Sequence, residues 1–176
     1  MPSRLVALSL ASVLLTLPNQ ASSQARGEDA YVTVAVDSIL RSSAYPSAFL
    51  TPGQRGPSPE AGSDFCILYM TFDRIADVFV QGLGGREAKE SSLQDERGGS
   101  HDLEAAQIRG IEFSDPSDMR SPSWVVDGGV AVLLFEMPQD VDPVSLRLRY
   151  HFKKALEEES TMMGEVEVRL GPVSLE

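Results

Sequence analysis

Near the carboxyl end, four side chains able to hold an anion recur at every second position: Arg147, Arg149, His151 and Lys153. Alternate residues of an extended strand share a face and stand about 6.5–7 Å apart. That spacing lines the four groups up as a positive stripe on one side of a strand. Guanidinium groups so placed bind carboxylates and phosphates through charge-assisted hydrogen bonds. Arg147, Arg149 and His151 are therefore the candidate ligand-binding residues. An anionic sugar, a phosphate or an acidic partner segment would satisfy them. The competing reading is a solvated sheet face neutralised by its neighbour. Glu165 and Glu167, which alternate outward in Glu165–Leu170, are plausible cross-strand partners.

Other residue sets carry weaker chemistry. Asp115, Asp118, Asp127, Asp140 and Asp142 sit in turn-forming stretches. Calcium needs about six to eight oxygens, and loops at one end of a β-domain can gather them, but no segment has the calcium-loop pattern. Met70, Met119, Met137, Met162 and Met163, with the two histidines, are the soft-metal candidates. Met70 reads as core, and no His stands close to Met162-Met163. The single cysteine, Cys66, lies in the apolar run Phe65–Met70. It reads as a buried thiol; as a nucleophile it would need His101 or His151 as base. The chain has no G-x-S-x-G, no H-E-x-x-H and no phosphate-cradling glycine loop. Spacing alone cannot choose two of its many carboxylates for glycoside chemistry. No catalytic, cofactor-binding or metal residue is assigned, and the expectation is a non-enzyme without cofactor.

The elements that would position the stripe follow from periodicity. Val144, Leu146, Leu148, Tyr150 and Phe152 alternate with Ser145, Arg147, Arg149 and His151, the pattern of a half-buried strand. Before it, Val130–Glu136 is a dense apolar run between Gly128-Gly129 and Pro138. The turn-rich Gln139–Pro143 between the two predicts an antiparallel hairpin-like unit. Tyr31–Ile39, Phe65–Phe72, Val78–Leu83, Trp124–Val126 and Glu165–Leu170 also read as extended, with Asp127-Gly128-Gly129 as a turn. His101–Arg109 fits a short helix or a strand entry. Residues 42–62 and 84–100 read as long loops, the second charged and solvated. Seven or eight strands and no recurring amphipathic helix predict an all-β fold, an immunoglobulin-like two-sheet antiparallel sandwich.

Composition bounds the function. The 176 residues are 42% hydrophobic and 23% charged, ordinary values for a folded domain. A net charge of −11 argues against nucleic acid or an anionic membrane as a bulk electrostatic partner. Arg4, the apolar Leu5–Leu17, Pro18 and the small residues of Ala21–Ala25 read as a secretory signal over residues 1–25, cleaved after Ala25 or alternatively after Ala21. The apolar stretch falls short of the ~20 residues that span a bilayer. Residues 26–176 are expected to form one exported domain, periplasmic or extracellular and not membrane-spanning.

The layout resembles the telokin-like or immunoglobulin-like extracellular domains of bacterial exported proteins, of the domain-of-unknown-function 4352 type. The residues that carry the resemblance are an early strand (Val32–Ile39), a long loop, a central run (Phe65–Phe72), and a late glycine, apolar strand, F-x-x-P, apolar strand element, here Gly129–Pro138 then Val144–Tyr150. Asp73-Arg74 stands where those domains often carry an Asn-x-Ser/Thr-like segment. The resemblance implies an accessory or binding role at the cell envelope, with a protein or glycan partner and no catalytic residues. The alternatives are a small metal-handling protein or hydrolase of the envelope, and a structural subunit of an envelope assembly.

Overall fold

The computed structural model describes residues 25–74, 78–82, 91–113, 123–154 and 161–171; for 78–82, 109–113 and 123–127 only the backbone is described. Residues 1–24 of the expected signal, Asp115, Asp118 and Met119 lie outside the described residues, as does the side chain of Asp127; Ala25, its last residue, begins the first strand.

The fold is all-β. Among the described residues nine strands occur: β1 (Ala25–Glu28), β2 (Val32–Ser42), β3 (Ser63–Arg74), β4 (Val78–Gly82), β5 (Ser92–Asp95), β6 (Ser100–Phe113), β7 (Ser123–Pro138), β8 (Pro143–Lys154) and β9 (Met162–Arg169). All pairings are antiparallel. The hydrogen-bonded path runs β1-β2-β3-β7-β6-β5-β8. β8 then carries β5 and β4 along one edge, one after the other, and β9 along the opposite edge. Four-residue β5 bonds to both β6 and β8, so it joins two walls into one continuous sheet. The ends of that sheet meet: a Cβ on Gly27 of β1 would lie 2.3 Å from the Glu167 carbonyl oxygen of β9. The result is nearly a closed barrel.

The interior is filled by alternate residues. Val32, Val34, Leu68, Met70, Leu133, Phe135, Leu146, Leu148, Tyr150, Val166 and Val168 are buried in one cluster. Each large apolar side chain so buried contributes about 1.5–3 kcal/mol. Strands β3 and β7 are buried on both faces. Their outer residues Phe65, Ile67, Val132 and Leu134 form a second cluster, roofed by Tyr45 and Phe49. These two rings come from the 42–62 segment, which includes a 3-10 turn at Ser47–Phe49. The Tyr45 ring meets Phe65 edge-on, with centroids 5.3 Å apart. Double-sided burial explains why Phe65–Met70 and Val130–Phe135 are apolar without alternation.

Several sequence expectations are corrected. β7 and β8 are consecutive but do not pair: β7 lies between β3 and β6, and β8 between β5/β4 and β9. The Gln139–Asp142 segment is thus an arch between walls, not a hairpin turn. Asp127-Gly128-Gly129 does not end a strand; it lies within the 16-residue β7. Gly128, with φ +73°, marks an irregularity there, where register jumps from Arg109/Val130 to Ile111/Val125. The expected loop 84–100 contains β5, whose Leu93 is fully buried. His101–Arg109 is strand throughout. In β8 the alternation holds from Leu146 to Phe152, but Val144 is exposed and Ser145 buried. A register shift against Gln94/Asp95 of β5 lies at that end of the strand.

Candidate functional site

The outer face of β8 and β9 carries the predicted stripe. Its cross-strand pairs are Ser145/Arg169, Arg147/Glu167, Arg149/Glu165 and His151/Met163. Inward packing of Leu146, Leu148, Tyr150, Val166 and Val168 fixes which residues face out. Arg149 Nε donates to Glu165 Oε2 at 2.8 Å. Arg147 Nε approaches Glu165 Oε1 at 3.6 Å, on the diagonal. One carboxylate therefore lies against two guanidinium groups. All three side chains are accessible: 50% for Arg147, 31% for Arg149 and 44% for Glu165. Ion pairs this wet contribute roughly 0–1 kcal/mol to stability. The structure thus places Arg147, Arg149 and His151 on one face as the spacing predicts, and the acidic neighbour strand is there too.

Two further residues complete this face. Arg169 stands opposite Ser145 and diagonal to Arg147. Met163, opposite His151, is 46% exposed. Extending the Glu165/Glu167 alternation by one step reaches Arg169, so that signal was present in the sequence. Met163 needed the register, which residue types alone do not provide. Among the described residues of these two strands, Arg147, Arg149 and Arg169 stand on the same face as two carboxylates, Glu165 and Glu167.

A second ionic cluster is buried. Asp95, 5% exposed, ends β5. Its Oδ1 accepts from the backbone N–H groups of Arg97 and Gly99, both at 2.8 Å. His101 Nε2 donates to its Oδ2 at 2.9 Å. The His101 hydrogen bond, helped by those two amides, holds the Asp95 carboxyl below the usual range although burial pushes it up. Arg97 reaches outward from this turn to Asp140, with 2.8 Å from Nη1 to Oδ2 and 3.0 Å from Nη2 to the carbonyl. Glu96 N donates to the Asp142 carbonyl at 3.0 Å. The cluster docks the β5–β6 turn onto the β7–β8 arch. Its geometry is that of a lock.

Two other buried polar contacts are also structural. Tyr150 Oη donates to Asp29 Oδ2 at 2.5 Å, while Asp29 Oδ1 accepts from Tyr31 N and Val32 N. Burial first, then Asp29, pushes the phenol well above its ordinary range. Cys66 is fully buried, and burial pushes its thiol up to about 11 despite the nearby Arg41. Such a thiol is protonated at neutral pH and a poor nucleophile. Arg41 itself donates to the Val141 carbonyl.

The remaining candidates are dispersed. Asp140 is held by Arg97 at one end of the molecule. Met70 and Met137 are core residues. Among the described residues no three His, Cys, Asp or Glu side chains are placed to share a metal ion. Among them, too, no helix is long and apolar enough to cross a membrane.

No protein-family model matches the chain, and no curated protein matches it. Two solved structures are similar in outline. One is an uncharacterized β-sandwich protein from Clostridium difficile 630, at 6% identity and a TM-score of 0.38, covering 80% of this chain and 88% of that one. The other is a candidate lipoprotein from Bacillus subtilis strain 168, at 9% identity and a TM-score of 0.39, covering 81% of this chain and 38% of that one. Both are distant.

Proposed function

We propose that this protein is an exported, non-catalytic binding module of the bacterial periplasm or cell surface, with an anionic ligand held on the outer face of β8 and β9. The observation that supports this is the pair of exposed Arg147 and half-buried Arg149 sharing Glu165 at the surface. The buried carboxylate and phenol are tied into the fold, whereas Arg147 and Arg149 meet Glu165 at the surface, where a ligand carboxylate or phosphate can compete for them. In this reading the domain belongs with the immunoglobulin-like sandwich modules, its two walls being joined at β5.

Retention of the purified chain on columns of immobilised acidic polymers at low salt tests the reading. The wild type is retained and elutes as salt rises; the variant carrying Arg147→Glu and Arg149→Glu flows through. Equal retention of the two places the contact elsewhere.

A further inference from the structure

The outer face of β3, β7 and β6, three strands that neither β8 nor β9 borders, is apolar where an antiparallel sheet commonly meets water. Its side chains fall in cross-strand rows. Leu40, Ile67, Leu134 and Ala105 form the central row across β2, β3, β7 and β6. Tyr69, Val132 and Gln107 form the next. Tyr45 and Phe49 of the 42–62 segment pack on this face. We infer that this segment is an autoinhibitory strap, its two rings filling a site that otherwise takes an aromatic-bearing peptide segment of a partner protein. The inference stands independently of the β8–β9 reading.

The strap is held by rings, not by a hydrogen-bond ladder. Among the described residues, every hydrogen bond of residues 43–59 closes within that stretch or on Ser42. It meets the barrel through Phe49, through the edge-on contact of Tyr45 with Phe65 and, at its far end, through Glu60 N donating to Glu136 Oε1. It also folds on itself: a Cβ on Gly56 would lie 2.3 Å from Tyr45 Cβ. A self-contained surface segment without ladder bonds opens at lower cost than the strands beneath it.

The cover it provides is incomplete at both ends of the face. Leu40, beside Ile67 in the central row, is 49% exposed. Gln107 Oε1 is buried and has no donor among the described residues. A buried acceptor left unpaired costs free energy, and an occupant that brings an N–H or O–H recovers it. The strap itself supplies the pattern for the rest of that occupant. Tyr45 and Phe49 stand four positions apart, with ring centroids 6.2 Å from each other. Aromatic side chains bring large contact area and often a polar handle, so a segment with two of them and a donor matches the face better than the strap does.

A synthetic peptide of residues 43–50 is the probe. It is titrated, with NMR detection, into the full chain as wild type and as the variant carrying Tyr45→Ala and Phe49→Ala. Circular dichroism checks that the variant is folded. The variant is expected to bind the peptide with a Kd below about 1 mM, with shifts at Ile67, Gln107, Val132 and Leu134 and none on β8 or β9. The wild type is expected to bind at least about tenfold more weakly, because its tethered strap competes for the same face. The peptide with alanine at both ring positions is expected not to bind. A folded variant that ignores the peptide, or takes the ringless one equally well, overturns the site. Wild type that binds as tightly as the variant overturns the autoinhibition. Should the double variant not fold, Phe49→Ala alone is read by the same criteria.

Discussion

Asp95 and Glu165 are two carboxylates, each set against basic side chains, in opposite surroundings. Asp95 is 5% exposed and its oxygens are occupied by two backbone amides and His101. Glu165 is 44% exposed and its two oxygens face Arg147 and Arg149 from solvent. The chemistry of the groups is alike; the water around them differs. In the buried cluster no solvent can replace a lost partner, so each bond holds the β5–β6 turn in place. On the outer face water or a ligand can take over any of the contacts, so the pair costs little to break and is open to exchange. Burial, more than residue type, separates the lock from the candidate binding surface.

The sharpest way to break that contrast is to cut one partner from each cluster. Asp95→Ala leaves the Arg97 and Gly99 amides and His101 without their acceptor, and we expect a loss of about 2–4 kcal/mol in urea unfolding. Tyr150→Phe removes the hydroxyl that meets Asp29 and should cost about 1–2 kcal/mol by the same measurement. Glu165→Gln on the wet face should change unfolding by no more than about 1 kcal/mol. A large loss at Glu165 with a small one at Asp95 would invert the account.

Acid titration sharpens the same difference. The Asp95 pKa is lowered in the folded state, so its contribution is complete above the unfolded carboxylate value of about 3.9 and is lost as pH falls through the lower folded value. Asp95→Asn should therefore flatten the acid limb of stability against pH. At the other end the Tyr150 phenol is raised by burial, so its contribution is complete below about 10 and is lost as pH climbs beyond that; Tyr150→Phe should flatten the alkaline limb. The smallest expected effect is at Cys66. Its buried, raised thiol should stay unmodified by thiol reagents in the native chain at neutral pH and react only after unfolding, as read by mass spectrometry.

How much of this was legible in the sequence depends on the range of the interactions. The alternation Leu146–Phe152 and Val166–Leu170 gave the strands, their inward faces and the outward Arg and Glu rows, because a period of two is a local property. Which strands pair is not local. The short Gln139–Asp142 connection suggested a hairpin, but the buried Val141 plugs the end of the core and the chain crosses to the opposite wall. β5 was hidden inside a polar stretch because only Leu93 of its four residues is apolar, and its partners come from β6 and β8. The Asp95–His101 lock was missed for the same reason: it forms only once that turn closes. Tyr45 and Phe49 looked like loop residues, since the apolar outer faces of β3 and β7 that they cover are set by long-range pairing.

The central claim is that ligand meets the outer β8–β9 face while the Asp95 cluster only holds the fold. Amide and side-chain shift mapping by NMR during titration of the full chain with a short polyglutamate tests it most directly. The account predicts perturbations concentrated at Arg147, Arg149, His151, Met163, Glu165 and Arg169, with Asp95, His101 and Gly99 unmoved. Shifts centred on the β5–β6 turn or on residues 42–62, with the β8–β9 face silent, would contradict it.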